Sequence, residues 1–487
     1  MKVYHRQKDW HGVQSIFSSS LGLTEQFIYR NAAKKSRTFV SRLSLSNTLN
    51  FHEGCVNAVN FSHSGDFIAS GSDDLKICIW DWNNNHNNQP LLAFDSGHHG
   101  NVFQTKFMAH TNDTVVVSCA RDGEIRVSYL SSAKDKNQIT KKILQHKGSA
   151  HKLSVSKSSP HLLKSAGEDG VVYNIDLRDT TTPQKLLTVR NTKGGKIALY
   201  SIDTNPLNDH EFAVSGRDPF ARIYDERMLS EENNGLLDSY CADHLKAPEE
   251  KNFNPPNITC LMYNYNGTEL LCSYNDEEIY LFDIKDSSQK DFTHVYKGHR
   301  NSDTVKGVNF FGPRSEYIVS GSDCGHVFLW DKETEEIVNF MKGDEGVVNV
   351  LEPHPTSCIL ATSGLEHNIK IWSPVGQSFK SNEELDKQVR ENAAAREEDR
   401  KHGGGRDLFY LMMMMRRMRR QRQRQRRRAE RLAEEQQGDG ERTTSTEGEG
   451  EDETTDEVDS DVELSSTDED EDDEDDDEDS TPMCAQS

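Results

Sequence analysis

One short pattern, repeated along the chain, constrains the fold more than any other feature of the sequence. It reads ASGSDDLKICIWDW at residues 69–82, VSGSDCGHVFLWD at 319–331 and ATSGLEHNIKIW at 361–372. In each copy small residues end one strand, a tight turn follows, and an alternating strand closes on tryptophan. Two strands alone cannot bury an apolar face, so the repetition predicts several similar sheets packed side by side.

Four weaker copies stand in register with these three. They end at Val127-Ser128, Ile175-Asp176, Tyr224-Asp225 and Phe282-Asp283. With the tryptophan position as a marker, the seven copies fall at residues 80, 128, 175, 224, 282, 330 and 372. A period of roughly forty residues or slightly more, with Trp-Asp at its end, is typical of WD40 repeats, each supplying a four-stranded blade. The sequence therefore predicts an all-β, seven-bladed WD40 β-propeller over residues 38–376.

The net charge of −24 is concentrated at one end of the chain. Residues 429–487 contain 27 acidic side chains against two arginines, which leaves 55 basic and 54 acidic residues in 1–428. We expect 429–487 to be a disordered acidic tail, because it cannot bury enough apolar surface to fold. The nearly neutral remainder makes nucleic acid an unlikely partner on overall charge.

The nine cysteines and the apolar runs indicate the kind of cellular compartment in which the protein is found. The cysteines are scattered without a CxxC pair, and the first ten residues are polar and charged rather than a secretory signal. The longest apolar run, residues 408–415, is far too short to cross a bilayer. We therefore expect a reduced intracellular protein with no transmembrane anchor.

The segment before the ring, residues 1–37, has apolar residues at helical spacing. They predict one or two short helices, which either cap the propeller or dock a partner: Val13, Ile16, Phe17, Leu23, Phe27 and Ile28. Residues 38–50 alternate like a strand. We expect this strand to complete the last blade, whose other strands come from residues 347–372, and so to close the ring.

Residues 377–428 are predicted to be a charged linker, helical over 383–400. Four methionines at 412–415 precede nine arginines between 416 and 428. Such a segment could lie on a membrane or in a groove, or be a solvated helix end. The arginines also fit nuclear import or a nucleic-acid contact, on composition alone.

A second set of residues recurs with the repeats. His52, Ser70, Asp74 and Trp80 return in part in the next two copies, as His98, Ser118, Asp122 and as His146, Ser165, Asp169. A catalytic triad occurs once, on an exposed turn beside an oxyanion hole. A set that recurs in successive blades instead indicates a structural hydrogen-bonded tetrad.

Two blades share a further motif just after the marker position. One ends Ile175-Asp176-Leu177-Arg178 and the next Tyr224-Asp225-Glu226-Arg227. Residues two apart on a strand point to the same side, so each aspartate is expected beside its arginine. Paired arginine forks on neighbouring blades suit contacts with carboxylates or carbonyls of a partner, although each arginine could instead only brace its own aspartate.

This paired DxR box resembles that of the WD40-repeat substrate receptors of the cullin-4 ubiquitin ligase, the DCAF family. The resemblance extends through runs such as SGHHGNVFQTKF, SAGEDGVVYNIDLR and YKGHRNSDTVKGVNFFGP across nearly the whole ring. It implies that Asp176, Arg178, Asp225 and Arg227 mark the side facing the ligase adaptor, and that the N-terminal helices dock there too. The tail is the least similar part.

The resemblance thus implies a non-catalytic substrate receptor of a cullin-4 RING ubiquitin ligase, found in nucleus and cytoplasm. Its partners would be the adaptor, through it cullin-4 and the RING subunit, and an unidentified protein substrate. No nucleophile with its base, metal-ligand spacing or phosphate loop is evident, so we expect no cofactor and no enzyme activity. The alternative is a scaffold outside any ligase, or a protein associated with chromatin or RNA.

Overall fold

A computed structural model of the chain describes residues 18, 20–22, 26–84, 89–132, 140–191, 193–230, 234–246, 256–285, 290–302, 304–379 and 383–402. Within them, twenty-eight strands form seven antiparallel four-stranded sheets. The Met- and Arg-rich segment and the acidic tail lie outside the described residues, as do the predicted helical positions Val13, Ile16, Phe17 and Leu23. None of the described helices is both long and apolar enough to cross a membrane.

Each sheet is one blade, with strands a to d running from the inside of the ring outward. The strands of blades 1 to 4, in chain order, are β2 (Val56–Phe61), β3 (Phe67–Ser72), β4 (Lys76–Asp81), β5 (Leu92–Asp95), β6 (Val102–Phe107), β7 (Val115–Ala120), β8 (Glu124–Tyr129), β9 (Thr140–Gln145), β10 (Ala150–Val155), β11 (Leu162–Gly167), β12 (Val171–Asp176), β13 (Asp179–Thr188), β14 (Leu199–Thr204), β15 (Glu211–Gly216), β16 (Asp218–Leu229) and β17 (Asn234–Tyr240).

The strands of blades 5 to 7 are β18 (Ile258–Tyr263), β19 (Glu269–Tyr274), β20 (Ile279–Asp283), β21 (His294–Tyr296), β22 (Val308–Phe311), β23 (Tyr317–Gly321), β24 (His326–Asp331), β25 (Ile337–Lys342), β26 (Val348–Pro353), β27 (Leu360–Gly364), β28 (Asn368–Ser373) and, from the start of the chain, β1 (Ser44–Asn50). The a strands of neighbouring blades contact one another all the way round, and β26 contacts β2. The seven-bladed propeller is therefore a closed ring around a central channel.

Closure depends on β1, which is strand d of blade 7. It pairs antiparallel with β28, from Ser44 opposite Ser373 to Asn50 opposite Asn368. The strand begins at Ser44 rather than at Thr38, because residues 37–40 form a short helix instead. The Asn339 side-chain amide donates to the carbonyls at the end of that helix and holds the turn into the strand.

Antiparallel strands divide the loops between two faces. The face with the a–b and c–d turns is called the AB face. The face with the b–c turns and the d–a connections is called the BC face. Five of the b–c turns contain one residue with positive φ, which glycine adopts without strain at Gly123, Gly170 and Gly325. Leu75 in blade 1 and Asp276 in blade 5 adopt it at φ 66° and 58°.

Within the described residues, the α-helices whose bounds are defined are α1 (Gln26–Lys35), α2 (Arg37–Val40) and α3 (Glu383–His402). The helix predicted over 383–400 is present as α3, and it packs on the ring: Leu385 is buried there and Val389 packs on the blade-6 core. These two residues are four apart, so they share one face of the helix.

The core lies between blades. Trp80 is fully buried in blade 1 and packs in one cluster with Ala361, Ile369 and Ile371 of blade 7. The corresponding residue of blade 2, Ser128, is also fully buried, and its hydroxyl has no hydrogen-bond partner among the described residues. The degenerate repeat of blade 2 thus keeps the buried position but lacks the tryptophan side chain that fills it in blade 1.

Trp80→Ala should reduce the free energy of unfolding by about 3–5 kcal/mol, the usual cost of removing a buried aromatic side chain. Ser128→Ala should change it little, because the hydroxyl makes no bond that the substitution could break. Urea unfolding of both variants, followed by circular dichroism, measures the difference. Equal stability of Trp80→Ala and the unsubstituted protein would contradict this account of the core.

Candidate functional site

Blade 1 contains the predicted tetrad as a continuous hydrogen-bonded chain. The Trp80 indole donates from Nε1 to Ser70 Oγ over 2.9 Å, and Ser70 Oγ lies 2.8 Å from His52 Nε2. His52 Nδ1 lies 2.9 Å from Asp74 Oδ2. The Asp74 carboxylate can only accept, so His52 donates to it from Nδ1–H, and in the neutral ring Nε2 then accepts from the Ser70 hydroxyl. The chain ties the loop before strand a to the b–c turn on the BC face.

Blades 2 and 3 repeat the arrangement without the tryptophan. His98 Nε2 lies 2.9 Å from Ser118 Oγ, and His146 Nε2 lies 3.0 Å from Ser165 Oγ. The serines of all three sets are buried, so no substrate could reach their hydroxyls. These sets hold the loops in place and are not nucleophile–base pairs.

The aspartates of blades 2 and 3 are held ionised. Burial alone would raise the pKa of Asp122, but hydrogen bonds from His98 and from two backbone amides outweigh it and hold the pKa at about 2. Asp169 has a pKa of about 2 for the same reasons, with His146 as its partner. Ionised carboxylates that accept several hydrogen bonds stabilise the loops they connect.

One group of side chains in blade 2 has the spacing of a metal site. Ligand atoms of His98, Asp122 and Glu124 all lie within 4.8 Å of one another. Asp122 already pairs with His98, however, and Glu124 accepts from Arg126 Nη1 over 2.6 Å and from Lys142 Nζ over 2.7 Å. These contacts account for the group without an ion.

Blade 7 contains a related network in which a lysine pairs with two carboxylates. The sequence analysis did not predict this network. Asp344 stands where blade 1 has His52, and Glu366 stands where it has Asp74. The cation comes from strand c: Lys370 Nζ donates to Asp344 Oδ1 over 2.7 Å and to Glu366 Oε2 over 2.6 Å. The sequence feature that could have indicated this network was the lysine at a buried position of an alternating strand.

Blade 6 retains its tryptophan but lacks the network. Cys324 occupies the aspartate position, and neither ring nitrogen of the buried His299 has a hydrogen-bond partner among the described residues. Burial lowers the pKa of His299 well below its usual value, so the ring is neutral. Helix α3 holds this loop instead: Asn392 donates to Gly298 O over 2.8 Å, and Arg396 Nη2 to His299 O over 2.6 Å.

The two DxR motifs stand at the AB-face end of strand c in blades 3 and 4, where β12 ends at Asp176 and Asp225 and Arg227 lie near the end of β16. Arg178 contacts Asp176 through Nε at 3.0 Å and Nη2 at 2.6 Å, and Arg227 contacts Asp225 with the same pair of distances. The guanidinium edge expected to meet a partner is thus occupied by the neighbouring aspartate. Both arginine side chains nevertheless remain more than half exposed, at 67% and 58%. A partner would meet Nη1 and the outer surface of each guanidinium.

Blades 3 and 4 are connected beside these motifs. Lys164 of blade 3 places Nζ 3.1 Å from Glu226 Oε2 and donates to the Asp209 carbonyl of blade 4. Glu226 lies between Asp225 and Arg227 in the chain, so this ion pair fixes one motif relative to the neighbouring blade.

Exposed apolar side chains follow on the AB face of blades 4 and 5. Leu207 and Tyr265 occupy a–b turns and are 76% and 48% exposed, and Met228 follows Arg227 and is 46% exposed. Apolar side chains beside arginines are typical of protein interfaces. The sequence analysis did not predict these exposed apolar residues, although the leucine within the polar turn NPLNDH could have indicated one of them.

Helix α1 also contacts the AB face, at blades 6 and 7. Lys34 Nζ donates to the His354 carbonyl over 2.5 Å, and burial lowers the lysine pKa to about 8. Tyr317 donates to the Lys35 carbonyl over 2.9 Å, while Ile28 on the same helix is exposed. The end of the helix thus caps the ring while an earlier apolar side chain faces solvent.

Fold and sites together define a seven-bladed WD40 propeller with an arginine-marked AB face. The family described as WD domain, G-beta repeat matches residues 43–81, 290–331 and 335–373. These are the three repeats that end in tryptophan.

Several relatives are known. The chain is 32% identical over 291 residues to the human protein DDB1- and CUL4-associated factor 6. The aligned region covers 58% of this chain and 33% of that protein. The chain is 34% identical to Protein ALTERED SEED GERMINATION 2 of Arabidopsis thaliana, over 51% of this chain and 36% of that protein. It is 21% identical to human WD and tetratricopeptide repeats protein 1, over 70% of this chain and 86% of that protein. The chain spans about a third of the length of the first two.

Asp122→Asn/Asp169→Asn should make stability less sensitive to acid. Both folded pKa values lie at about 2, below the roughly 3.9 of an unfolded aspartate. Their contribution is therefore present above about pH 4 and is lost as the pH falls through 2. Melting temperatures from pH 7 to pH 2 should fall less steeply in the variant, from a lower starting value. Parallel curves would rule out these carboxylates as the cause.

Lys370→Met should lower the free energy of unfolding by about 3–5 kcal/mol, because it leaves the buried Asp344 carboxylate without its cation. Lys370→Met/Asp344→Asn should recover part of that loss, since the uncompensated charge is then removed. Denaturant midpoints of the two variants measure the recovery. A double variant no more stable than the single one would show that the charge is not what matters.

Proposed function

We propose that this protein is a substrate receptor of a cullin-4 RING ubiquitin ligase and that its AB face binds the ligase adaptor. The observation that carries the proposal is the pair of solvent-exposed, aspartate-oriented arginines, Arg178 and Arg227, on neighbouring blades. Similarity to DDB1- and CUL4-associated factor 6 supports it. Runs such as SGHHGNVFQTKF support the finer assignment to the counterpart of the DCAF family's eighth numbered member.

The geometry of the AB face fits the role of an adaptor surface. Each aspartate orients its guanidinium, which lowers the conformational entropy that the arginine would lose on binding. Leu207, Met228 and Tyr265 provide apolar surface nearby, and α1 presents Ile28 on the same face. An interface of this kind combines apolar anchors with oriented charge-assisted hydrogen bonds.

In this mechanism the propeller positions other molecules and carries out no chemistry of its own. The AB face holds the adaptor, and the BC face is left to a protein substrate. Cullin-4 and the RING subunit then bring a conjugating enzyme close to a substrate lysine. Tethering raises the effective concentration of that lysine without any new catalytic group. We propose that the receptor acts in nucleus and cytoplasm.

The competing candidate is a WD40 scaffold, or a chromatin- or RNA-associated protein, that never joins a ligase. Copurification separates the two, because a receptor brings down adaptor and cullin in stable amounts and a scaffold does not.

Arg178→Ala/Arg227→Ala should abolish recovery of adaptor and cullin in immunoprecipitates of the full chain. Losing charge-assisted contacts at a protein interface typically weakens binding roughly tenfold or more. The melting temperature should stay nearly unchanged, because both ion pairs are exposed and such pairs contribute little to folding.

The matched control is Arg314→Ala, an exposed arginine in the blade-6 a–b turn of the same face. It should leave adaptor recovery unchanged. Undiminished recovery from the folded double variant would overturn the assignment of the adaptor surface. A double variant that unfolds would show that the arginines brace their blades instead.

A further inference from the structure

On the BC face, the pairing of strand a with strand b shifts register at the same position in most blades. In six blades the pairing of strand a with strand b skips the second residue of strand a, as a β-bulge does: Asn57, Phe103, His151, Tyr200, Thr259 and Asn349. A bulge leaves its residue out of the ladder and re-aims its side chain. Strand a is innermost, so these residues surround the BC-face entrance of the central channel.

One half of this ring is polar, and its side chains bond within the propeller. Asn57 Nδ2 donates to Asp73 Oδ1 over 2.6 Å. In blade 6 the buried Lys306 makes the corresponding ion pair with Asp323. Asn349 Oδ1 accepts from the Thr304 hydroxyl over 2.5 Å. Because these polar groups already bond within the propeller, this half of the entrance is poorly suited to bind a ligand.

The other half, from blades 2 to 4, is an aromatic arc of Phe103, His151 and Tyr200. Phe103 stacks on His151 with ring centroids 4.8 Å apart and planes 6° from parallel. His151 meets Tyr200 edge-on at 5.3 Å. All three are partly exposed. Rings fixed in this way can bury an apolar side chain of a ligand at little cost in entropy.

Two arginines flank the arc. Arg121 N–H donates to the Asn101 carbonyl, two residues before Phe103, and Arg217 N–H donates to the Ala198 carbonyl, two residues before Tyr200. The arginines are therefore placed alike, one at each end of the arc. Both are exposed, and neither guanidinium has a hydrogen-bond or ion-pair partner within the part of the chain that the structure describes.

The exposed charged residues around the arc are mainly basic. The described BC-face loops of blades 2 to 4 also expose Lys147, Arg190, Lys193 and Lys196. Two exposed carboxylates lie on the described part of these loops: Glu168, which is already paired with His151 Nε2 at 2.9 Å, and Asp243, which is paired with Lys246. On the opposite side of the same face the loops expose Glu53 and Glu345. Lys297 and Lys342 are also exposed on that side, so basic side chains predominate beside the arc but are not confined to it.

We propose that the aromatic arc and its flanking arginines form a binding site for an acidic peptide segment with an apolar or aromatic residue at its centre. The central side chain packs against Phe103 and Tyr200, and carboxylates on either side pair with Arg121 and Arg217. Basic peptides are disfavoured by the exposed lysines and arginines around the arc. Assigning this segment to a ubiquitination substrate rests on the proposed function, whereas the binding chemistry does not.

The test uses the full-length protein and fluorescein-labelled twelve-residue synthetic peptides, with fluorescence anisotropy as the readout. One peptide contains Asp and Glu around a central Trp, a second replaces the acids with Ser, a third replaces them with Lys, and a fourth replaces Trp with Gly. A single-stranded RNA twelve-mer is included. The acidic Trp peptide should bind most tightly, and its affinity should fall as salt is raised.

Arg121→Glu/Arg217→Glu should weaken binding of the acidic Trp peptide roughly tenfold or more. Phe103→Leu/Tyr200→Leu should weaken the Trp peptide and leave the weaker Gly peptide unchanged. The matched control, Lys342→Glu, reverses an exposed charge on the BC side of blade 6 and should have no effect. Circular dichroism melts verify that each variant is folded.

Three outcomes would overturn the proposal: equal affinity for the acidic and Ser peptides, tighter binding of the Lys peptide, or a preference for RNA over every peptide. Adaptor recovery by Arg121→Glu/Arg217→Glu should match that of the unsubstituted protein, because these arginines lie on the BC face. Failure of peptide binding with normal adaptor recovery thus rejects this site alone, and the reverse pattern rejects only the proposed ligase function.

Discussion

The pairing of β1 with β28 is the contact on which the rest of the structure depends. It joins a strand that precedes blade 1 to the last blade over 300 residues later, and so supplies the fourth strand of blade 7. The inner strands of blades 7 and 1 contact each other, so this pairing fastens the two ends of the ring together. Because every blade then packs between two neighbours, local weakness such as the missing tryptophan of blade 2 is tolerated.

A closed ring fixes the blades but not the loops between them, and the polar networks perform that second task. Blades 1 to 3 connect loop to turn through a histidine, while blade 7 reaches the same end with Lys370 between two carboxylates. In blade 6 the network is absent, and Asn392 and Arg396 of α3 hold the corresponding loop from outside. Different side chains thus meet the same requirement, which is to hold the BC-face connection of each of these blades in place.

Alternation of strand direction also separates two kinds of surface. The AB face has arginines oriented by their own aspartates beside exposed apolar residues. The BC face has an aromatic arc between arginines for which the described residues provide no such partner. An arginine already paired has a defined direction and less remaining bonding capacity, whereas an unpaired one retains its whole bidentate edge for a carboxylate. The two faces therefore suit different partners, which is the arrangement a tethering protein requires.

The sequence by itself determined the seven blades, the tetrad of blade 1 and the side-by-side placement of each DxR aspartate and arginine, because all of these follow from spacings within a single repeat. It did not reveal that α3 packs on blade 6, that residues 37–40 are helical, or that Lys34 reaches the His354 carbonyl 320 residues away. Nor did it reveal the arc of Phe103, His151 and Tyr200, whose members lie about fifty residues apart in three different blades. Periodicity specifies strands and register within a blade, and only closure of the ring, with a bulge at the same place in six of the inner strands, brings side chains of separate blades together.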